Sequence, residues 1–281
     1  MQCGAARAIS CSNTGDKCQL RQRSRLVRIL FLSPWFPYPP TNGSKLRVYN
    51  LLHGLADYHE LDLITFGDEP GIDPQAPELQ AICRKVLVAP SKSYKPVGLQ
   101  AKLALLNPTP RSIREAYSVE MSELVQQTLN AKTYDLVIAS QLGTAIYGTL
   151  LKDIPALFEE VEVGVLYERY AQARSAWHRF RHGLTWAKHR RFLANLLQGF
   201  RGCTVVSEQE RSLVSKLVLG DNAASQPIDL IPNGIDLAFY RKVVETPQPA
   251  SLIFTGSLHY AANYEGMVWF LEEVFPLVRA T

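Results

Sequence analysis

The chain has 281 residues, of which 47% are hydrophobic and 20% are charged, and its 30 Lys/Arg against 26 Asp/Glu give a formal net charge of +4. This composition is typical of a folded globular protein and excludes a disordered or collagen-like chain, while the length favours about two domains. No stretch has the roughly 20 apolar residues that a membrane-spanning helix requires. The five cysteines contain no CxxC pair, so we expect free thiols, no metal site and a cytoplasmic location.

Residues 1–25 carry three cysteines and a basic cluster, but no apolar stretch of the length found in a signal peptide. We expect these residues to form a disordered extension. From Arg28 onward, short apolar runs alternate with segments of helical periodicity. The predicted strands are Ile29–Ser33, Leu61–Phe66, Val86–Ala89, Leu136–Ser140, Ala156–Phe158, Thr204–Ser207 and Asp229–Ile231. The predicted helices are Lys45–Tyr58, Gly98–Leu106, Ser112–Ala131, Thr144–Lys152, Val165–Gly199 and Glu208–Leu219.

Apolar strands that alternate with helices predict an α/β fold, in which helices cover both faces of a Rossmann-like parallel sheet. We assign residues 26–240 to this domain and residues 241–250 to a linker. Residues 251–281 then read as the first strand and helix of a second Rossmann-like domain, because an apolar run (252–254), a turn glycine (Gly256) and an amphipathic helix follow one another. Such a domain needs roughly 100 residues, so we expect the chain to be truncated.

The loop after the first strand contains four prolines and then Asn42, Gly43 and Ser44, directly before the first helix. Free backbone N–H groups at a helix start favour an anionic or hydroxyl-rich ligand, and glycine permits its close approach. The alternative is an ordinary turn in which Asn42 or Ser44 caps the helix. The GxGxxG pattern of dinucleotide-binding proteins is absent from this loop.

A basic run extends from Arg169 to Ser207, with eight Lys/Arg, three His and no acidic residue, so the rest of the chain sums to −4. Aromatic residues interleave with the basic ones, which is a composition typical of a helix that lies on an anionic membrane surface. The alternative is a helix whose aromatic residues pack on the sheet and whose basic face meets solvent. No nucleic-acid-binding motif accompanies the charge. The residues expected to face a membrane are Trp177, Arg179, Arg181, Trp186, Lys188, Arg190 and Arg191.

Five segments occur in an order that resembles glycosyltransferase family 4, most of all the bacterial exopolysaccharide and exosortase-associated sugar transferases. They are ILFLSPWFPYPPTNGSKLRVYNLLHGLA, FEEVE, TVVSEQER, IPNGID and LIFTGSLHYAANYEGMVWFLEEVFPLV. The resemblance covers Arg28 to Arg279. It implies the B-type fold of two Rossmann-like domains and a nucleotide-diphosphate sugar as donor substrate, with retention of anomeric configuration and no metal or other cofactor. It also implies a saccharide or lipid-linked acceptor, as in cell-surface polysaccharide synthesis at the inner face of the plasma membrane.

The resemblance assigns several positions to the cleft between donor and acceptor. Asn42 and Gly43 match the family's glycine loop, and Ser207 matches its serine-led helix start. The other matched positions are the turn Asn233–Gly234 and the second-domain loop Gly256–Ser257. Ser207 as an N-cap and Asn233–Gly234 as a simple turn are the structural alternatives.

The fifth predicted strand ends in Phe158-Glu-Glu-Val-Glu, where many relatives carry a His-Asn pair before Val-Glu. The histidine is therefore absent here. We expect Glu159, Glu160 and Glu162 to line the cleft, where neighbouring carboxylates raise one another's pKa values or accept hydroxyl protons from a sugar. The alternative is that two of these carboxylates are solvated or paired with Arg169 and Arg174.

The family's glutamate pair, spaced by seven residues in the second domain, has no convincing match, although three chance pairs share that spacing. The catalytic residues are therefore unassigned. We expect no measurable glycosyl transfer by these 281 residues alone, because the cations that neutralise the donor diphosphate in relatives are also unmatched. Two other functions stay open: a non-catalytic, membrane-associated fragment or scaffold, and a sugar-nucleotide epimerase of the same architecture.

Overall fold

The computed structural model describes residues 26–67, 71–91, 107–151, 153–237, 241, 248–258 and 260–280. The predicted extension 1–25, the predicted helix 98–106 and most of the predicted linker lie outside these ranges. One compact unit ends at Gly234 and a second begins at Ile235. The predicted domain boundaries remain a prediction.

The first unit is built on a single sheet of seven parallel strands, in the order β3-β2-β1-β4-β5-β6-β7. This confirms the predicted α/β, Rossmann-like class, and each predicted strand of this unit overlaps an observed one. The strands are β1 (Arg28–Ser33), β2 (Glu60–Gly67), β3 (Lys85–Pro90), β4 (Leu136–Ser140), β5 (Ala156–Glu159), β6 (Gly202–Val205) and β7 (Ile228–Leu230).

Helices follow most of the strands. The α-helices are α1 (Gly43–Ala56), α2 (Pro77–Gln80), α3 (Arg111–Ala116), α4 (Val119–Ala131), α5 (Gln141–Ala145), α6 (Gly164–Ala171), α7 (Ala176–Leu197) and α8 (Glu208–Leu213). Single-turn segments extend two of them, namely the 3₁₀ turn Ile146–Leu150 after α5 and the π turn Val214–Leu219 after α8, and a further 3₁₀ segment, Gly220–Ser225, precedes β7.

Two predicted helices are each divided in the structure. The predicted helix 112–131 breaks before Ser118, and the predicted helix 165–199 breaks before Ser175. In both cases the serine side chain accepts a hydrogen bond from the backbone N–H three residues later. Serine therefore starts a new helix at each point, because an N-cap hydroxyl satisfies a backbone donor that has no partner inside the helix.

The apolar strands are buried on both faces of the sheet. In β1, Leu30 and Leu32 belong to one core cluster, and Ile29 and Phe31 belong to the other. All four side chains are at most 1% exposed. Continuous apolar strands result from this arrangement, since alternate side chains point into two separate helical layers.

Cys83 and Cys203 are free thiols in the described part of the chain, and both are buried. Burial raises the pKa of each thiol to about 12. Neither is a reactive thiolate at neutral pH, because nucleophilic thiols need a pKa near or below the ambient pH.

The second unit contains α9 (Ala261–Trp269), a π turn (Phe270–Val274) and α10 (Phe275–Ala280), which match the predicted amphipathic helix. The apolar run before them differs from the expectation: Leu252, Ile253 and Phe254 are exposed and belong to no strand. A β-strand needs a neighbouring strand to supply its hydrogen bonds, and no described segment of this unit supplies them.

Candidate functional site

The polar residues of interest lie at the carboxyl ends of three adjacent strands. β1 ends at Ser33, its neighbour β4 ends at Ser140, and the next strand, β5, ends at Glu159. The sheet reverses its strand order between β1 and β4. In open α/β sheets, ligands bind in the crevice outside the carboxyl ends at such a reversal.

Arg47, in the second turn of α1, forms the centre of a buried network at this edge. Its side chain is 4% exposed, and that of Glu159 is 5% exposed. Arg47 Nε donates to Glu159 Oε1 at 2.8 Å, and Nη1 donates to Asn233 Oδ1 at 2.9 Å. Ser140 Oγ donates to the other oxygen of Glu159 at 2.6 Å. The two buried charges therefore neutralise each other inside a nearly complete set of hydrogen bonds.

Glu160 lies beside this ion pair and is held from the opposite side. Its Oε2 accepts a hydrogen bond from Gln141 Nε2 at 2.7 Å and lies 3.6 Å from Arg47 Nε. Trp35 Nε1 in turn donates to Gln141 Oε1 at 2.8 Å. Burial raises the pKa of the Glu160 carboxyl, while the hydrogen bond from Gln141 opposes that rise. The carboxylate is thus oriented but only partly neutralised.

Gln141 and Glu160 also share an unusual backbone conformation. Their φ angles are 56° and 61°, in the left-handed region that non-glycine residues rarely adopt. Each follows directly after the end of a strand, and their side chains are hydrogen-bonded to each other. Left-handed residues that surrounding contacts hold in place are concentrated at ligand-binding and catalytic sites.

The structure brings together three of the predicted cleft residues, Glu159, Glu160 and Asn233. Asn42 instead caps α1, because its Oδ1 accepts a hydrogen bond from Lys45 N at 3.0 Å. Ser207 caps α8 in the same manner, accepting from Glu210 N at 3.1 Å. Asn42 and Ser207 therefore both act as helix N-caps, as the structural alternatives in the sequence analysis proposed.

The remaining predicted residues lie outside the network. Gly43 is exposed and Ser44 half-buried at the start of α1, and Gly234 is exposed. Glu162 is exposed. Partial desolvation and the charge of Glu210 raise the pKa of its carboxyl. Gly256 and Ser257 belong to the second unit, so their assignment to the cleft stays a prediction.

Sequence reasoning missed Arg47, Gln141 and Trp35. Arg47 is a charged residue directly before Val48, which is fully buried on the same helix. Its position beside this apolar residue was the signal that the sequence offered, and Lys45 of the same helix is buried as well. Nothing in the sequence indicates its partners, which lie 112 and 186 residues further along the chain.

In the described ranges, no group of three or more His, Cys, Asp or Glu side chains could hold a metal ion. A surface cavity of about 410 Å³ lies between α8 and β7 and is lined by residues such as Arg211, Lys216 and Gln226. None of the network residues lines it. The cavity is therefore separate from the hydrogen-bonded network.

The basic helix α7 exposes aromatic residues at its amino end. Trp177 and Phe180 are 69% and 65% exposed, and their rings stack with centroids 6.1 Å apart. Trp186 differs: it is 6% exposed and packs edge-on against Tyr167 of α6 at 5.5 Å. The prediction that Trp186 faces a membrane is wrong, because its indole fills the space between α6 and α7.

The five basic residues predicted to face a membrane are spread along α7. Arg179, Arg181, Arg190 and Arg191 are exposed, and Lys188 is half-buried. Arg179 also lies over the ring of Tyr170, at 5.9 Å from its centroid. No helix of the described residues is long and apolar enough to cross a bilayer.

Neither a protein-family model nor a curated protein matches the chain. Among solved structures, the chain is similar to sucrose-phosphate synthase from Thermosynechococcus elongatus, with 14% identity and a TM-score of 0.48 over 76% of this chain and 49% of that one.

Two further structures show comparable similarity. Medicago truncatula UGT71G1 complexed with UDP-glucose has 13% identity and a TM-score of 0.44, over 88% of this chain and 57% of that chain. The glycosyltransferase of kitacinnamycin has 16% identity and a TM-score of 0.40, over 81% and 56%. The chain spans about half the length of these structures. Its Rossmann-like fold is established by its own strand order.

Proposed function

We propose that the first unit is the acceptor-side domain of a B-type glycosyltransferase. The enzyme transfers a sugar from a nucleotide-diphosphate sugar to a saccharide or lipid-linked acceptor. The observation that carries this proposal is the network of Arg47, Glu159, Glu160 and Gln141 at the strand-order reversal of the sheet. Oriented carboxylate and amide groups at such an edge suit a hydroxyl-rich ligand, and three of the four residues, Arg47, Glu159 and Glu160, lie in the segments that resemble family 4.

The finer features of the proposal come from that resemblance. They are retention of anomeric configuration, catalysis without a metal ion, and a part in cell-surface polysaccharide synthesis on the cytoplasmic side of the plasma membrane. Gly256 and Ser257 would approach the donor, as the matching loop does in the family. The alternatives are a sugar-nucleotide epimerase and a non-catalytic scaffold.

The reaction is tested with the protein encoded by the longest open reading frame that contains these 281 residues. We expect the purified protein to move radiolabelled sugar from at least one nucleotide sugar in a panel to a saccharide or lipid-linked acceptor, with retained configuration at the anomeric carbon. The products are separated by chromatography and the new linkage is assigned by NMR.

The other outcomes separate the alternatives. Conversion of the nucleotide sugar into its epimer, with no labelled acceptor, would support the epimerase. A folded protein that neither transfers nor epimerises any sugar in the panel would support the scaffold and would contradict the proposed function.

We also propose that the exposed residues of α7 dock on an anionic membrane. The exposed, stacked rings of Trp177 and Phe180 beside Arg181 support this, because adjacent aromatic and cationic groups are typical of interfacial helices. Contact with a membrane would bring the domain to lipid-linked acceptors. Trp186 has no part in this surface.

Vesicle flotation should show binding that depends on both kinds of residue. Replacing Arg181, Arg190 and Arg191 by glutamine should remove on the order of 1 kcal/mol of attraction to anionic vesicles per residue at low salt. Replacing Trp177 and Phe180 by alanine should instead abolish the fraction that stays bound at high salt, because the burial of apolar surface is not screened.

The matched control replaces Lys85, Arg201 and Lys216, which are exposed cations outside α7, by glutamine. This variant has the same net charge as the arginine triple variant and should float like the wild type. If the same fraction of the wild type floats with anionic and with neutral vesicles at low salt, α7 is a solvent-exposed helix that does not bind the membrane.

A further inference from the structure

One oxygen of the Glu160 carboxylate accepts a hydrogen bond, whereas the other has no hydrogen-bond partner among the described residues. Oε2 accepts the hydrogen bond from Gln141 and lies near Arg47. Oε1 accepts no hydrogen bond from any residue in the described ranges, and the Glu160 side chain is 14% exposed. The network therefore presents one oriented acceptor atom at the carboxyl edge of the sheet.

An unused donor is part of the same network. Arg47 Nη2 lies 2.7 Å from Glu159 Oε1 without hydrogen-bond geometry, and it has no other hydrogen-bond partner among the described residues although it is buried. Buried polar atoms of native proteins nearly always have a partner. Nη2 is enclosed by the protein and its nearest charged partner is Glu159, so the partly exposed Oε1 of Glu160 is the atom that a ligand hydroxyl can reach.

The formal charges of the network restrict what that group can be. Arg47 and Glu159 neutralise each other at 2.7 Å, while Glu160 is 3.6 Å from the same guanidinium and adds a second negative charge. The ionised network therefore carries a net charge of −1. An anionic ligand such as a carboxylate or a phosphate is repelled, whereas a neutral hydroxyl is not.

We propose that Glu160 Oε1 accepts a hydrogen bond from a hydroxyl group of a neutral sugar, and that Glu160 excludes acidic sugars from this site. The proposal rests on the proposed function, in which this edge of the sheet holds the acceptor. It narrows the acceptor to one whose sugar unit at this position carries no carboxylate or phosphate. The left-handed conformations of Gln141 and Glu160 agree with a preorganised carboxylate.

The test measures binding to the 281-residue chain by NMR titration, with methyl hexosides and the matching methyl hexuronides as ligands. We expect the hexuronide to bind on the order of tenfold more weakly than the hexoside at low salt. In Glu160→Gln the two ligands should bind within about twofold of each other. The matched control is Glu123→Gln, which removes the same charge from an exposed residue of α4 and should keep the preference.

A second measurement needs no variant. Raising the salt concentration should reduce the preference of the wild-type chain, since charge repulsion at a partly exposed site is screened. The proposal is overturned if no methyl hexoside binds, if the wild type binds both ligands equally at low salt, or if Glu123→Gln removes the preference as fully as Glu160→Gln.

These outcomes separate this inference from the proposed function. Transfer by the full open reading frame to an acidic acceptor as readily as to a neutral one would overturn the inference and leave the glycosyltransferase function intact. A protein that prefers neutral sugars but transfers no sugar would contradict the proposed function, while the inferred binding site would still be supported.

Discussion

Replacing Arg47 by methionine should lower the free energy of unfolding by about 3–5 kcal/mol, which is the usual effect of removing one partner of a buried ion pair. The reason is that Glu159, whose side chain is 5% exposed, would keep its charge without a counter-ion. Asn233 Oδ1 would lose its hydrogen bond from the guanidinium as well. Equilibrium unfolding in urea, followed by circular dichroism, measures the change.

Two further variants show whether the effect comes from the buried charge. Adding Glu159→Gln to Arg47→Met should restore part of the lost stability, since the uncompensated carboxylate is then removed. Arg181→Met, at an exposed position of α7, should change stability by no more than about 0.5 kcal/mol. An Arg47→Met protein as stable as the Arg181→Met protein would contradict the buried ion pair.

Replacing Glu210 by alanine should lower the free energy of unfolding by about 2–4 kcal/mol, because two buried donors would lose their acceptor. Glu210 accepts hydrogen bonds from Val163 N and Gly164 N, both at 2.9 Å. These bonds join the start of α8 to the start of α6 and hold the segment that leads away from Glu160. Denaturant unfolding measures the loss, and amide hydrogen exchange should show faster exchange at Val163 and Gly164.

Glu208→Ala is the matched control, because Glu208 is exposed in the same helical turn and forms an ion pair with exposed Arg211. Its loss should cost less than about 1 kcal/mol, as is usual for surface ion pairs. Equal stability of the two variants would show that the contacts of Glu210 with the backbone contribute nothing beyond a surface charge.

The sheet could be predicted from the sequence because its signals are local. Most strands of the first unit are short apolar runs such as Ile29–Ser33, whose side chains are buried on both faces of the sheet. Helix starts at Asn42 and Ser207 were also local, since an N-cap needs only a side-chain oxygen and the backbone three residues later. The breaks at Ser118 and Ser175 carried the same signal and were missed inside longer periodic segments.

The membrane-facing surface shows where periodicity is insufficient. Trp177 and Trp186 occur in one basic, aromatic helix, and composition alone treats them alike. The structure separates them, because α6 covers Trp186 and leaves Trp177 exposed. Which side of a helix is covered depends on the neighbouring helix, and that information is not contained in the segment itself.

The sequence by itself determined the alternation of strands and helices, the parallel sheet and the edge at which polar residues collect. Only the tertiary structure decided which of those residues form the site. Arg47 meets Glu159 and Asn233 across 112 and 186 residues of chain, and Gln141 reaches Glu160 from the neighbouring strand end. The physical reason is that burial of a charge is tolerated only where distant segments supply its partners, so such a network exists only after the sheet has brought those segments together.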